Sequence, residues 1–562
     1  MAPQHWSHGI GNISSCIGYV AFRLAQALGV MRRIAPLMVL SLCCGLVHAQ
    51  TGWAPLSREV ERPYATQVQA YGSAIHSAIR PYRAQDLRIS LGADSLLPKA
   101  AIKKLDSWAG RMNGRKFRWG PMLEANGGYG MGSNSETIYR GSAGFWADLD
   151  AGSRLNFHLD GQGWGEQLPS YLDTVTSATQ VTPGEGYAYG TTSTVTHYDW
   201  NGHISWDAHK FINLTLGKGK NTFGNGYRSL FLSSEAYSYP YLKITTSVWN
   251  IKYINLFTVM NDIRGAAGDP GKYGTKYTSM HYLSWNVSKR INVAAFESIV
   301  WSQGDSLYPR GFDITYLNPV IFYRPNEFQI GSPDNALLGL SINVKVGKHI
   351  LFYSQLMLDE FLLDQIRNGY GWYANKQALQ LGMNMHEAFG VKGLQVRAEY
   401  NVVRPFMYTH SDTRQNYAHM GQPLAHPYGS NFQEGLVNVD LVRDRWVFSV
   451  KGNMAWLGED SVFSYGANIF RPERDRPVKE NGQLQDYGYR IGQYKLATVA
   501  QAEFRVGWTL DPRSAMRLEL GYLFRTYDAA TASVTTDHII KAGLMCYFRE
   551  RHAEQVPRYV LN

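Results

Sequence analysis

Hydrophobic residues recur at every second position along much of the chain. Between 154 and 162, Leu155, Phe157 and Leu159 fall on one face, and Asn156, His158, Asp160 and Gln162 on the other. That is the period of a strand with one apolar and one wet side. The stretch 211 to 217 alternates more loosely. Near the end Ile540, Ala542, Leu544, Cys546 and Phe548 form one apolar face, which predicts a last strand with an aromatic terminus and a tail over 549–562.

The strands come in pairs. Short polar turns are expected at 150–152, 207–209, 288–290, 346–348, 391–393, 443–445 and 511–513. Between them lie long irregular connections near 165–195, 219–240, 261–276, 302–335, 361–375, 403–431 and 457–494. Short turns at one end and long loops at the other are the asymmetry of an outer-membrane barrel, and counting the paired runs gives roughly 18 strands. The fold class expected is all-β: a transmembrane antiparallel β-barrel over 116–548. A soluble propeller would show a blade repeat, and none is present.

The N-terminal part reads differently. Met31 is followed by Arg32 and Arg33, an apolar run of about 14 residues over 34–47, then Val47-His48-Ala49. This run is short of the roughly 20 residues a membrane helix needs and has the order of a secretory signal. Residues 31–49 are therefore expected to be a signal peptide cleaved near Ala49, and 1–30 an over-extended start. Cys43 and Cys44 raise a lipoprotein alternative, but Ser41-Leu42 before them is not the usual lipobox arrangement. Residues 50–115 are expected to form a small periplasmic helical element, with Leu97, Ala101, Leu105 and Trp108 at helical spacing. It would serve as a plug or docking element, or merely pack on the barrel rim.

Composition narrows the class. The chain carries 36 Tyr, 15 Trp and 55 Gly with only 18% charged residues, which favours strands and turns. Mean hydropathy of -0.28 is too polar for a helical membrane protein. Beyond the signal only Cys546 remains, so no disulfide or thiolate metal site is expected. The net charge of +10 is dispersed and comes without a nucleic-acid motif. Anionic lipid headgroups, including lipopolysaccharide, or acidic glycans fit it better.

The most distinctive strings fall in the long connections. They are Asn221-Thr222-Phe223-Gly224-Asn225-Gly226-Tyr227-Arg228-Ser229-Leu230, Tyr316-Leu317-Asn318-Pro319-Val320-Ile321-Phe322-Tyr323-Arg324-Pro325 with Glu327, Glu399-Tyr400-Asn401 before Arg404-Pro405-Phe406, and Gln422-Pro423-Leu424-Ala425-His426-Pro427 before Asn431-Phe432. Together they resemble the Wzi-type capsule-assembly proteins of the outer membrane, particularly the Bacteroidetes branch with gliding-associated RemB-like proteins. The resemblance is clearest over 220–435. It implies an 18-stranded barrel acting as a surface lectin that attaches or organises capsular or extracellular polysaccharide, assembled by the barrel-assembly machinery.

Candidate ligand-binding residues are Tyr227, Arg228, Asn318, Tyr323, Arg324, Glu327, Arg404, Tyr408, His410, His426 and Asn431. Aromatic faces stack on sugar C–H surfaces, and Arg clamps carboxylates. The competing reading makes the same arginines, with Glu297, Asp359, Glu360 and Glu399, a lumenal charge ladder that folds the loops inward. His410, His419 and His426 match no standard metal-ligand spacing, so no metal or cofactor is expected. No Gly-x-Ser-x-Gly elbow appears, and Gly224-Asn225-Gly226 lacks the Lys-Ser/Thr of a phosphate loop. Asp359 and Glu360, adjacent at a strand end, are expected to point to opposite faces. Two functions remain, a non-enzymatic polysaccharide-binding surface protein and a passive porin for small hydrophilic solutes. Long Pro- and aromatic-rich loops that fold in favour the first.

Overall fold

The computed structural model describes residues 52–87, 116–133, 135–190, 194–304, 311–320, 334–360, 362–529 and 533–550. The helix expected around 95–113 lies outside them.

Eighteen antiparallel strands close on themselves. In chain order they are β1 (Lys116–Gly132), β2 (Glu136–Ala151), β3 (Leu155–Gln167), β4 (Val195–His209), β5 (Ile212–Gly219), β6 (Tyr239–Val248), β7 (Ile251–Asp262), β8 (Gly274–Asn286) and β9 (Ile291–Ser302). The second half comprises β10 (Asn335–Val346), β11 (Ile350–Leu358), β12 (Gln377–His386), β13 (Leu394–Val403), β14 (Phe432–Arg443), β15 (Trp446–Glu459), β16 (Lys495–Asp511), β17 (Met516–Ala529) and β18 (Thr535–Cys546). Each strand pairs with its sequence neighbour, and β1 closes on β18 with Ala125 opposite Leu544 and Tyr129 opposite Ile540.

Alternation sorts the two faces. On β3, Phe157 and Leu159 point outward while Asn156 and Asp160 are buried inside. The outward face keeps its apolar side chains uncovered. Leu216, Leu340, Ile342, Leu381, Val437, Val450 and Leu520 are exposed, with exposed Trp206, Trp249, Trp285 and Trp446 toward the short-turn end and Tyr129, Tyr139, Tyr198 and Tyr400 toward the long-loop end. An aliphatic band between two aromatic girdles is what a lipid bilayer solvates.

Seven of the eight short turns fall where alternation places them. The eighth, at 249–250, and two brief connections at the long-loop end, 133–135 and 530–534, escape a reading based on polar turn residues. The last strand stops at Cys546, two residues earlier than expected. Cys546 and Phe548 leave the outward face and turn in to pack with Met122 and Trp146.

Residues 52–87 stand inside the barrel. Short helices form at Arg58–Glu61, Ala65–Gln69 and Ala84–Leu87. Trp53 Nε1 donates to Ser205 Oγ and Thr215 Oγ1 on the inner wall at 3.1 and 3.2 Å. Arg83 reaches Asp207 at 2.6 Å, and Lys345 on β10 donates to the carbonyls of Ala70 and Ser73. From the long-loop end the segment 220–238 also folds into the lumen. The two meet where Ile79–Arg80 pairs antiparallel with Thr222–Phe223.

The closed barrel is expected to run as a compact, faster band on unboiled SDS gels and to slow on boiling. A single band indifferent to heating would rule out the closure.

Candidate functional site

Beside the buried apolar cluster of Phe223, Leu230, Phe231 and Leu232, the lumen holds a polar network anchored on the inward loop. Glu399 on β13 accepts the backbone N–H groups of Tyr227 and Arg228 at 2.7 and 3.1 Å. Tyr353 and Asn401 donate to the same carboxylate at 2.9 Å each. This close approach requires glycine at 226, because a Cβ there would stand 2.6 Å from a Glu399 oxygen. The Arg228 guanidinium bridges Glu235 at 3.0 Å and Glu434 at 3.3 Å, with all three side chains buried. His426 meets Glu434 at 2.7 Å and lies against Phe432. Charges so deeply buried hold only when paired, so this cluster fixes two loops to the wall.

Other candidates join the same packing. Tyr408 is fully buried and donates to the Leu230 carbonyl at 2.9 Å. Arg404 donates to the Asn375 carbonyl at 2.8 Å. Asn431 accepts from the Gly492 N–H at 2.8 Å. His410 is buried and accepts from the Asp412 N–H at 3.2 Å. Asn318 sits half-exposed in a loop, where it accepts from the Val320 N–H. Tyr227 is half-buried beneath the Arg58 guanidinium at 4.2 Å. Tyr323, Arg324 and Glu327 lie outside the described residues. The structure thus gathers Arg228, His426 and Tyr408 into the loop core and leaves Asn318 apart from them.

The lumenal ladder is present but differs in detail. Glu297 meets His281 on the neighbouring strand at 3.4 Å. Asp359 and Glu360 do not diverge, because β11 ends at Leu358 and strand alternation ends with it. Both approach Lys376 Nζ, at 3.8 and 3.5 Å, and Glu473 contacts it more closely still. Burial opposes the charge of Lys376, yet Asp359, Glu473 and Glu360 outweigh it and hold its pKa raised.

Above this network two aromatic-glycine strings meet at the long-loop mouth, a feature missed in the sequence although Gly369-Tyr370-Gly371-Trp372-Tyr373 and Asp486-Tyr487-Gly488-Tyr489-Arg490 spell it out. Tyr373 N donates to the Asp486 carbonyl, Gly488 N to that of Tyr370, and Tyr489 N to that of Gly371, at 2.8–2.9 Å. A Cβ at Gly371, whose φ is +67°, would strike the Tyr489 backbone at 2.6 Å. Arg476 stacks over Tyr373 at 3.4 Å and pairs with Asp486. Tyr370 is 68% exposed and Tyr487 41%. Nearby, Tyr494 stacks on Tyr465 at 4.3 Å. The arrangement is a rigid aromatic and charged shelf open to the outside.

Among the described residues Glu166, Glu185 and His197 bring ligand-type atoms within 4.8 Å of one another. Arg140 donates to both carboxylates at 2.8 Å and so supplies the positive charge there.

A long cavity of about 260 Å³ runs beside the plug. Its walls come from β13–β18, β1–β3, the helix Ser170–Thr179, the N-terminal helices and Arg549, which pairs with Asp160 and Asp199.

The fold and lumen define the class: a closed 18-stranded antiparallel barrel whose interior is occupied from both ends. No protein-family model matches the chain, and no curated protein matches it by sequence. Among solved structures it is similar to Wzi of Escherichia coli, described as an outer membrane protein involved in group 1 capsule assembly and a carbohydrate-binding β-barrel. The TM-score is 0.51 at 11% identity, covering 87% of this chain and 99% of Wzi. OccK8 (OprE) of Pseudomonas aeruginosa matches with a TM-score of 0.39 at 7% identity over 77% of this chain and 98% of its own. OccAB4 of Acinetobacter baumannii gives 0.40 at 8% over 77% and 99%. At these identities the likeness is one of fold.

Replacing Arg228 with Met is expected to lower barrel stability by about 3–5 kcal/mol, because Glu235 and Glu434 lose the cation between them. Thermal unfolding and protease cleavage of 220–238 would read it. An unchanged midpoint would show that the ion pairs do not hold the loop.

A second expectation concerns pH. His76 Nδ1 meets Ser284 Oγ at 2.8 Å on the inner wall. Burial, with Lys252 adding to it, pushes the imidazole down to about 3. The undocked segment titrates near the ordinary value of 6.5, so it binds more protons than the docked one between 6.5 and 3. Docking therefore weakens as pH falls through that window. Glu61, pushed up to about 7 by burial, works the other way. His76→Gln should therefore gain docking relative to the parent from pH 7 to 4, measured by protease access to 52–87. Parallel curves would contradict this.

Proposed function

We propose that this chain is an outer-membrane surface protein of a Gram-negative bacterium that binds or organises capsular or extracellular polysaccharide. In this reading it is exported by the signal at 31–49, cleaved near Ala49 and inserted by the barrel-assembly machinery. It is embedded among outer-membrane lipids and lipopolysaccharide, and performs no catalysis. The observation that carries the reading is the shelf at the long-loop mouth. Tyr370, Tyr487 and Tyr494 are exposed with Trp372 half-buried beside them, and the exposed Asp486 carboxylate offers a hydrogen-bonding group there, held by the buried Arg476 guanidinium. Exposed rings beside an exposed carboxylate suit sugars, which have one apolar and one hydroxyl-rich aspect.

Support also comes from the lumen, much of which is occupied by 52–87 and 220–238, which favours the outer surface for recognition. The similarity to Wzi over nearly the whole of both chains is consistent with this, as is the resemblance of the loop strings to that family, RemB-like branch included. Among the sequence candidates, Arg404, His410 and Asn431 then act by positioning the shelf, and Arg228, Tyr408 and His426 by holding the loop core beneath it. Tyr323, Arg324 and Glu327 remain candidates for direct contact.

A second reading, a passive channel for small hydrophilic solutes, draws on the polar cavity beside the plug. Steady ohmic conductance of the purified chain in planar bilayers would favour it.

The test of the first reading is the double variant Tyr370→Ala with Trp372→Ala. Aromatic stacking contributes about 0.5–1.5 kcal/mol per ring beyond area burial, so retention of surface polysaccharide should weaken roughly tenfold, with heat-modifiability and outer-membrane fractionation unchanged. Retention at parental levels in a correctly inserted variant would remove the shelf from the binding surface. Recovery of the parent chain in the soluble periplasm would remove the location.

A further inference from the structure

One stretch of the barrel wall reverses the rule that polar side chains face inward. Tyr282 on β8 and Phe296 on β9 point into the lumen, where they stack on Phe223 at 4.7 Å and Phe231 at 5.0 Å. Their strand neighbours His281 and Glu297 therefore face outward, directly opposite each other and 3.4 Å apart. This pair is the point where the charge ladder leaves the lumen. Asn255 on β7 continues the row on one side and Leu338 on β10 on the other. The next outward row toward the short turns holds Leu283 and Leu340, and the one after it Trp285 and Ile342. Leu340, Trp285 and Ile342 are exposed, as is Val259 on the side of the long loops. The polar row thus lies within the lipid-facing band, yet Asn255, His281 and Glu297 are all buried.

The cover is the described part of the connection between β9 and β10. At the long-loop end Trp301 Nε1 donates to the Gly311 carbonyl at 3.3 Å, and the Phe312 ring meets Trp301 and Tyr277 at 5.4 and 5.6 Å. Further down, buried Tyr316 packs with Ile299, Trp301 and Ala336 on the outer face, and its carbonyl accepts from Ser279 Oγ at 2.8 Å. Lower still, the Pro319 carbonyl accepts from the hydroxyl of Tyr253 at 2.7 Å. Tyr253 is the third residue of β7 after the short turn, and its ring lies 5.6 Å from that of His281. The row of His281 and Glu297 falls between Ser279 and Tyr253, so 316–319 crosses it.

Two features of the segment suit hydrocarbon. Its outer side is apolar, with Ile314 76% exposed, Val320 64% and Leu317 41%, and Asp313 is the only charged residue in 311–320. Its backbone is also served from within. The N–H groups of Thr315 and Val320 donate to the side chains of Asp313 and Asn318, and those of Tyr316 and Asn318 to the carbonyls of Asp313 and Thr315, at 3.0–3.3 Å. Pro319 has no N–H to satisfy. Where no water is present such groups have to find partners in the chain.

We propose that 311–320 is a strap laid on the outer wall at bilayer depth and held there by Tyr316. It contacts lipid acyl chains through Ile314, Leu317 and Val320 and shields His281 and Glu297 from them. An ionisable pair bare to hydrocarbon is costly, and the apolar side of the strap continues the band formed by Leu340 and Ile342. Asn318, a sequence candidate for ligand contact, then serves the backbone of the strap and stays out of reach of a surface glycan. The proposal concerns where this loop lies, and it holds or fails independently of what the shelf binds.

Fluorescence quenching tests it on the full barrel reconstituted in phosphatidylcholine vesicles. Ile314→Cys and Val320→Cys, each labelled with the thiol-reactive fluorophore NBD, are compared with Leu340→Cys in the lipid-facing band and Asn481→Cys in an exposed turn at the long-loop mouth. The parent chain treated alike sets the background. Acyl-chain nitroxide lipid should quench the two strap labels as strongly as the Leu340 label, and aqueous iodide should leave them bright while it quenches the Asn481 label. Adding Tyr316→Ala to Ile314→Cys should lose most of the nitroxide quenching and gain iodide quenching. If that double variant lacks the heat-modifiable shift, the two single labels decide alone. Iodide quenching of the strap labels to the Asn481 level, with no effect of the nitroxide lipid, would put the loop in water and overturn the proposal. Shielding from both quenchers would overturn it in favour of contact with a second copy of the chain. Nitroxide quenching that survives Tyr316→Ala undiminished would overturn the anchoring role of Tyr316.

Discussion

Everything in this molecule depends on the hydrogen bonds between β1 and β18. A sheet in hydrocarbon has no water to satisfy its edges, and each open edge group there would cost several kcal/mol. Pairing Lys541 with Gly128 and Ile540 with Tyr129 removes both edges at once. Closure then dictates the side-chain pattern. Each strand must show apolar groups outward and tolerate polar ones inward, and eighteen strands enclose a lumen too wide for wall side chains alone to fill.

The chain resolves the wide lumen by importing backbone from both ends. The N-terminal segment enters from the short-turn end and 220–238 from the other, and each carries the complement of the wall it meets. Glu59 lies between Arg62, Arg505 and Arg517, which overcome its burial and hold its pKa lowered. Arg228 lies between Glu235 and Glu434. Tyr547 and Arg549 extend the same logic beyond the last strand, reaching Glu519 and the Asp160–Asp199 pair. Each contact would contribute little at a surface. In a closed interior, where leaving any one member alone is costly, they act as keys that fit one arrangement.

This explains which parts of the structure were legible in the sequence. The strands were, because a bilayer outside and polar groups inside impose period two with little tolerance, and the short turns were, because tight connections restrict residue type. The turn at 249–250 was not, since exposed Trp249 belongs to the girdle and masks it. The inward fold of 220–238 left only a trace, the glycines at 224 and 226, which read as an ordinary turn until Glu399 and Gln355 are placed against them. Arg228, Tyr408 and His426 were singled out as distinctive, and they are. Sequence does not say whether an unusual arginine faces a ligand or a glutamate about two hundred residues away. The shelf was spelled out by its Tyr-Gly-Trp-Tyr string, but its meaning requires the pairing with 486–490, which is long-range.

The same reasoning favours the rim for the recognition proposed above. A loop folded into the lumen has its polar groups spent on the wall, so its residues gain nothing from an outside ligand without first losing a buried partner. The strings at 369–373 and 486–490 are in the opposite situation. Their backbones are satisfied by each other, Phe406 and Tyr489 pack edge-to-face at 5.0 Å beneath them, and the backbone that carries the rings is held in place before any ligand arrives. Ordering that is complete in the free protein is not charged against binding. The buried loops are therefore best understood as the foundation that makes the shelf rigid, and substitutions within them should act on a surface ligand only through the shelf they support.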